Sequence, residues 1–183
     1  LSLTAFRSRL HANPTAVHAA LAAGYSGGPG PSPSPSVSAS SGGGPTVSAC
    51  STIQASSDNA HNGTKAEPTT DTGGGLDVGW IHNGCWLAYN NVDFGSTGAN
   101  QFIARVASGA AGGISGLVQV ALDSPTAAPI GSFAIANTGG WQSWQTVPAN
   151  ISLVTGVHTV YLVFSSGQPA DYVNVHWFTF GQA

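Results

Sequence analysis

Residues 72–91, TGGGLDVGWIHNGCWLAYNN, set His82 three positions before Cys85, with Trp80 and Trp86 on either side and a run of three glycines upstream. A thiol beside an imidazole is the pairing of cysteine catalysis, because the imidazole takes the thiol proton. The same two groups could contribute to a soft-metal site. Two tryptophans behind a glycine-rich loop could instead form a rigid platform for a flat ligand. The first reading is disfavoured, because residues three apart near a strand are expected on opposite faces. A zinc site would need more ligands close together. No Gly-x-Ser-x-Gly or His-Glu-x-x-His motif is present.

The elements that must position these residues can be read from composition and periodicity. Charged residues make up 6% of the 183, with a net charge of −3, against roughly 25% in an average soluble protein. The surface must therefore be mostly Ser, Thr, Asn, Gln and Gly, a habit of secreted proteins that act on neutral polymers. No basic patch is available to release counterions from nucleic acid, and anionic membranes are disfavoured for the same reason. No stretch approaches the ~20 apolar residues that span a bilayer. No signal-peptide pattern is visible, and a chain that starts at Leu1 is expected to be processed or cut from a longer one. An even cysteine count in a secreted chain points to one disulfide, Cys50–Cys85, worth ~3–4 kcal/mol in the chain-entropy model. Two buried free thiols are the alternative.

Three segments follow. Residues 1–24 read as short amphipathic helices, with Asn13 as N-cap, Pro14 at the first helical position and Gly24 as the stop. Helices this short are marginal alone, so the segment is expected to be the tail of an upstream domain. Residues 25–46 are almost entirely Ser, Gly and Pro and read as a linker. Residues 47–183 hold short alternating runs between turn signals. In QFIARVAS, Phe102, Ala104 and Val106 share a face; in HTVYLVF, Val160, Leu162 and Phe164 do. The prediction is an all-β fold, an antiparallel, jelly-roll-like β-sandwich.

Residues 52–181 resemble a family 6 carbohydrate-binding module. The motifs are TIQAS, HNGTKAEPTTDTGGGLDVGWIHNGCW, FIARVAS, IANTGGWQSWQTV and VNVHWFTF, in the family's order and spacing. The chain departs from the family where it has IQAS for IQAE, GCW for GDW, WIH for an aromatic followed by Ile-Asp, and NVHW for a motif with Asp or Asn before Trp.

The resemblance implies a sugar site made of Glu67, Trp80, Trp141 and Asn174. A pyranose has an apolar face that stacks on a rigid aromatic ring, and edge hydroxyls suited to a carboxylate and an amide. Trp144 and Trp177 are expected in the core, with Trp86 a further candidate. His61 and Asp171 stand in loops that could form a rim, and Trp86, Tyr89 and Gln119 could line the second cleft that some members carry. The family's structural calcium would fall on Gln54, Ser56 and His176. Calcium takes oxygen ligands and depends on carboxylates, and this set has none, so binding is expected to be weak or absent. No other cofactor is implied.

Seven acidic residues, Asp58, Glu67, Asp71, Asp77, Asp93, Asp123 and Asp171, formally allow the carboxylate pair of a glycosidase. Glu67 maps to ligand binding, however, and Asp71 is expected to fix the Gly-rich loop. The expected function is therefore a non-catalytic module that targets a covalently linked upstream glycoside hydrolase to polysaccharide, with xylan the leading ligand. It is expected to be secreted and monomeric, with no nucleic-acid or membrane partner. Two alternatives stand: the C-terminal part of a hydrolase whose catalytic domain precedes Leu1, or a spacer that no longer binds sugar.

Overall fold

The computed structural model describes residues 44–183. The expected helical segment 1–24, and all but the end of the linker 25–46, lie outside the described residues. The elements are β1 (Val47–Ser48), β2 (Ile53–Gln54), a 3-10 turn (Ala55–Ser57), β3 (Ala60–Asn62), β4 (Lys65–Pro68), β5 (Leu76–Ile81), β6 (Trp86–Asp93), β7 (Ala99–Ser108), β8 (Gly116–Leu122), β9 (Gly131–Ile135), β10 (Gly140–Val154), β11 (Val157–Ser165) and β12 (Val173–Gly181).

One sheet runs β1-β6-β11-β8-β9, with β3 also beside β6; the other runs β10-β7-β12-β5-β4, with β2 also beside β12. All pairs are antiparallel except β1 with β6. The long β10 links the sheets, pairing with β7 along most of its length and with β9 at Ile151. This is the predicted all-β sandwich.

Its core comes from the alternation seen in the sequence. Phe102, Ala104 and Val106 are buried while Ile103 and Arg105 are only half-buried, and Val160, Leu162 and Phe164 are buried on β11. Phenylalanines from both sides meet there, Phe102 on β7 with Phe133 on β9 at 6.0 Å and Phe94, just after β6, with Phe180 on β12 at 4.9 Å between ring centroids. Tyr89 packs edge-on to Phe178 and donates its hydroxyl to the Ala55 carbonyl at 2.7 Å. It therefore belongs to the core and not to a second cleft. Trp86 and Gln119 do stand half-buried on the opposite face of that sheet.

A β-bulge in β12 decides what faces the site. Register shifts between Val175 and Trp177 where β12 pairs with β7. Val173 and Val175 point inward, and Phe178 and Phe180 do so again, so the bulge reverses the parity of the strand. Asn174 and His176 thus share the outer face, and Trp177 is left half-buried. The expectation that Trp177 and Trp144 fill the core is corrected: neither belongs to it, and Trp144 lies tilted on His176 at 5.6 Å.

The disulfide is also corrected. Cys50 and Cys85 are both free thiols. Cys50 follows β1, whose Ser48 is registered with Asp93 at the C-terminal end of β6, whereas Cys85 precedes Trp86 at its N-terminal end. Eight residues at ~3.3 Å each separate them by about 25 Å, and a disulfide needs Cα atoms within about 7 Å.

Candidate carbohydrate-binding site

The outer face of β4, β5 and β12 collects polar groups that a sheet surface normally gives to water. Asn174 is 3% exposed, and its Nδ2 donates to Glu67 Oε1 at 2.9 Å, Asp77 Oδ1 at 3.3 Å and the Trp141 carbonyl at 3.3 Å. Spending the amide protons on protein leaves Oδ1 to accept from a ligand. Space for this pair depends on Gly79, where a Cβ would come 2.9 Å from Asn174 Oδ1 and 3.2 Å from Glu67 Oε1.

Two exposed indoles border that pair. Trp80 follows Gly79 and is 42% exposed; Trp141 opens β10 and is 37% exposed. Trp80 has φ +56°, a left-handed conformation that is strained for a bulky residue. The strain turns the ring out of the alternation of β5. Trp141 stands after Gly139 and Gly140, at φ +110° and +156°. Its ring lies against Gly109, where a Cβ would meet Cδ1 at 2.7 Å. The four residues expected to hold sugar, Glu67, Trp80, Trp141 and Asn174, therefore come together from β4, β5, β10 and β12.

Two residues under the site escaped sequence reasoning. Asp77 is fully buried, and burial, aided by the charge of Glu67, pushes its carboxyl up to about 6. Gln142 donates from Nε2 to Asp77 Oδ2 at 2.9 Å. Its Oε1 accepts from the Thr70 amide at 2.8 Å and from the Trp144 indole at 3.2 Å. Gln142 thus ties the Gly-rich loop to β10. The only sequence signal was its place beside Trp141.

The loop is anchored again by charge. Arg105 donates from Nε and Nη2 to the two oxygens of Asp71 at 2.8 and 2.7 Å, and the guanidinium holds the Asp71 carboxyl well below the usual carboxylate range. His176 is 2% exposed, with Nδ1 2.9 Å from Asp71 and Nε2 3.1 Å from the Gly74 carbonyl. Asp71 fixes the Gly-rich loop as expected.

The residues assigned to the calcium position do not fit that ion. Both His176 nitrogens are occupied on the outer face, Gln54 and Ser56 supply no carboxylate, and no cluster of three His, Cys, Asp or Glu side chains forms among the described residues.

His82 and Cys85 behave differently from expectation. A turn with the Cys85 amide on the His82 carbonyl at 3.2 Å brings them to the same side. A Cβ on Gly63 would meet Cys85 Sγ at 2.7 Å and the His82 ring at 3.6 Å. What disqualifies the thiol is burial: Cys85 is fully buried, and desolvation raises its pKa away from the reactive thiolate. Of the rim candidates, Asp171 stands 3.4 Å from His82, while His61 lies on β3 in the other sheet and not in a loop, bound to Asp58 at 2.7 Å. A broad depression of about 670 Å³ lined by Ser48, Cys50, Asp93 and Phe94 lies at the far end of β6 from Cys85. Its carboxylate is spent on the Gly95 amide at 2.8 Å.

A β-sandwich that exposes indoles around a carboxylate–amide pair is built to bind sugar without reacting on it. Comparison with known proteins agrees: the family model "Carbohydrate binding module (family 6)" matches residues 54–182, and the chain belongs to that family. An arabinoxylan arabinofuranohydrolase of Paenibacillus polymyxa is 41% identical over 116 residues, 62% of this chain and 18% of that protein. The endo-1,4-beta-xylanase A of Thermoclostridium stercorarium is 38% identical over 135 residues, 74% of this chain and 24% of that protein. The chain thus spans about a quarter or less of these relatives. Among solved structures, a beta-1,3-glucan binding family 6 module from Bacillus halodurans superimposes with TM-score 0.70 at 40% identity, covering 75% of this chain and 99% of that one. A family 6 module from Clostridium cellulolyticum in complex with xylose gives TM-score 0.67 at 42% identity, over 74% and 99%. The chain is a non-catalytic binding domain.

Proposed function

We propose that this module binds xylan or a related plant cell-wall glycan and holds an attached glycoside hydrolase on its polymer. A sugar stacks its apolar face on Trp141 and Trp80, while Glu67 and Asn174 Oδ1 take its hydroxyls. The observation that carries this reading is the Asn174–Glu67 hydrogen bond of 2.9 Å set between the two exposed indoles. Each ring offers a rigid surface with little rotamer entropy to lose, and the carboxylate adds charge-assisted hydrogen bonds. Tethering then raises the effective concentration of a linked catalytic domain on the polymer. The xylanase and arabinoxylan hydrolase relatives support the choice of xylan, and the xylose-bound structure supports the monosaccharide.

The low charge of the chain and the glycan-degrading relatives support a secreted protein. Calcium is not required, because the donor set lacks carboxylates and His176 is engaged elsewhere. Isothermal titration of the isolated chain with xylo-oligosaccharides and with beta-1,3-glucan oligosaccharides tests the reading. Binding without release of reducing sugar from xylan is expected. Hydrolysis, or no binding to either series, would refute it.

A further inference from the structure

Lysine and arginine are scarce, and among the described residues they are Lys65 and Arg105. Arg105 is committed to both oxygens of Asp71. The other ion pairs among the described residues are made by histidines, and Lys65 makes none. Its ammonium is exposed and stands 5.4 Å from the centroid of the Trp80 ring.

That position follows from the sheet. Lys65 is registered opposite Gly79 on β5, and Glu67 lies two residues along β4. Alternation therefore puts Lys65 and Glu67 on one face, the face of the sugar site. An ammonium with a carboxylate so close would ordinarily pair with it. Here Glu67 accepts from Asn174 instead, and Lys65 extends over the indole. An exposed cation–π contact is weak and uses the charge of the ammonium without consuming its hydrogen-bond donors. Among the described residues, the one lysine or arginine that makes no ion pair thus stands at the ring on which a sugar would stack.

We propose that Lys65 makes the site selective for glycans with an anionic substituent, a carboxylate or a sulfate ester, beside the sugar stacked on Trp80. The inference rests on the sugar-site reading above. Glu67 and Asp77 make the floor of the site repel anions, and one cation at the rim offsets this only where the substituent reaches it. If Lys65 only propped the ring, its removal would weaken neutral and anionic ligands alike.

The test is isothermal titration at low and high salt with three ligands of equal length: a neutral xylo-oligosaccharide, one carrying a glucuronic acid, and one carrying a sulfate. At low salt the unaltered module is expected to bind one or both anionic ligands about threefold to fivefold tighter than the neutral one, as suits an exposed ion pair. High salt is expected to erase the preference. Lys65→Gln is expected to bring the anionic-to-neutral ratio to one or below, because the Glu67 and Asp77 charges then stand unopposed, and Lys65→Arg to restore it. Comparing the glucuronate and sulfate arms identifies which anion is preferred. Equal binding of all three ligands by the unaltered module overturns the role of Lys65 and leaves the sugar site standing. A preference that survives Lys65→Gln, or high salt, also overturns it. Failure of all three ligands to bind overturns the sugar-site reading and this inference together.

Discussion

Asn174 donates to Glu67 at 2.9 Å across 107 positions of chain. That bond joins β12 to β4 over the open Cα of Gly79 on the strand between them. It occupies the amide nitrogen and leaves the carbonyl oxygen over Gly79 to accept.

Gly79→Ala tests the arrangement without removing any ligand group. Its new Cβ would come 2.9 Å from Asn174 Oδ1 and must displace it. Sugar affinity is expected to fall at least about tenfold, which is ~1.4 kcal/mol, with the far-ultraviolet circular dichroism unchanged. Undiminished affinity in titration calorimetry would show that the pair does not hold the ligand.

The φ of +56° at Trp80 implies that this position is strained for any side chain. Trp80→Gly and Trp80→Ala are both expected to lose sugar affinity. The glycine variant is expected to be more stable than the alanine variant by about 1 kcal/mol, because glycine accepts the left-handed conformation without cost. Urea denaturation of the two variants measures the difference.

The two buried carboxylates act oppositely on stability. Asp71 is held below its ordinary pKa, so its contribution is present above about pH 4 and is lost as pH falls below that value. Asp77 is raised to about 6, so its contribution is fullest in acid and is lost as pH rises from about 4 to 6. Asp71→Ala leaves Arg105 and His176 without their carboxylate. It is expected to cost about 3 kcal/mol at pH 7, the low end for a broken buried pair, because the Arg105 side chain is 25% exposed. Denaturation at pH 7 and pH 3 is expected to show that cost shrinking in acid. The same cost at both pH values would contradict the assignment.

Among the described residues the thiols are free and some 25 Å apart, and the residues at the calcium position supply no carboxylate. The melting temperature is expected to shift by less than about 2 °C with dithiothreitol or with EDTA, where losing ~1 kcal/mol would move it roughly 2–8 °C. Thiol titration of the denatured, unreduced chain is expected to find two reactive groups.

Much of this was legible in the residues. The period-two alternation of Phe102, Ala104 and Val106 specified a strand and its inner face, because a buried sheet face leaves little choice of register. The grouping of Trp80 and Trp141 with Glu67 and Asn174 was legible from the motifs around them. The bulge at His176 was not, because a single inserted residue leaves no mark on local periodicity, and it moved Trp177 out of the core. The disulfide failed because an even cysteine count carries no distance. Asp77 and Gln142 were hidden because their roles come from contacts between residues 65 positions apart. His82 and Cys85 share a side because Gly84, at φ +89°, turns the chain between them.

Trp141 is the proposed wall of the sugar site. Titration of Trp141→Ala with xylo-oligosaccharides, beside the unaltered chain, tests it most directly. Removing one stacking ring is expected to weaken binding at least about tenfold, with thermal stability close to that of the parent because the indole is 37% exposed. Full affinity in the variant would contradict the account.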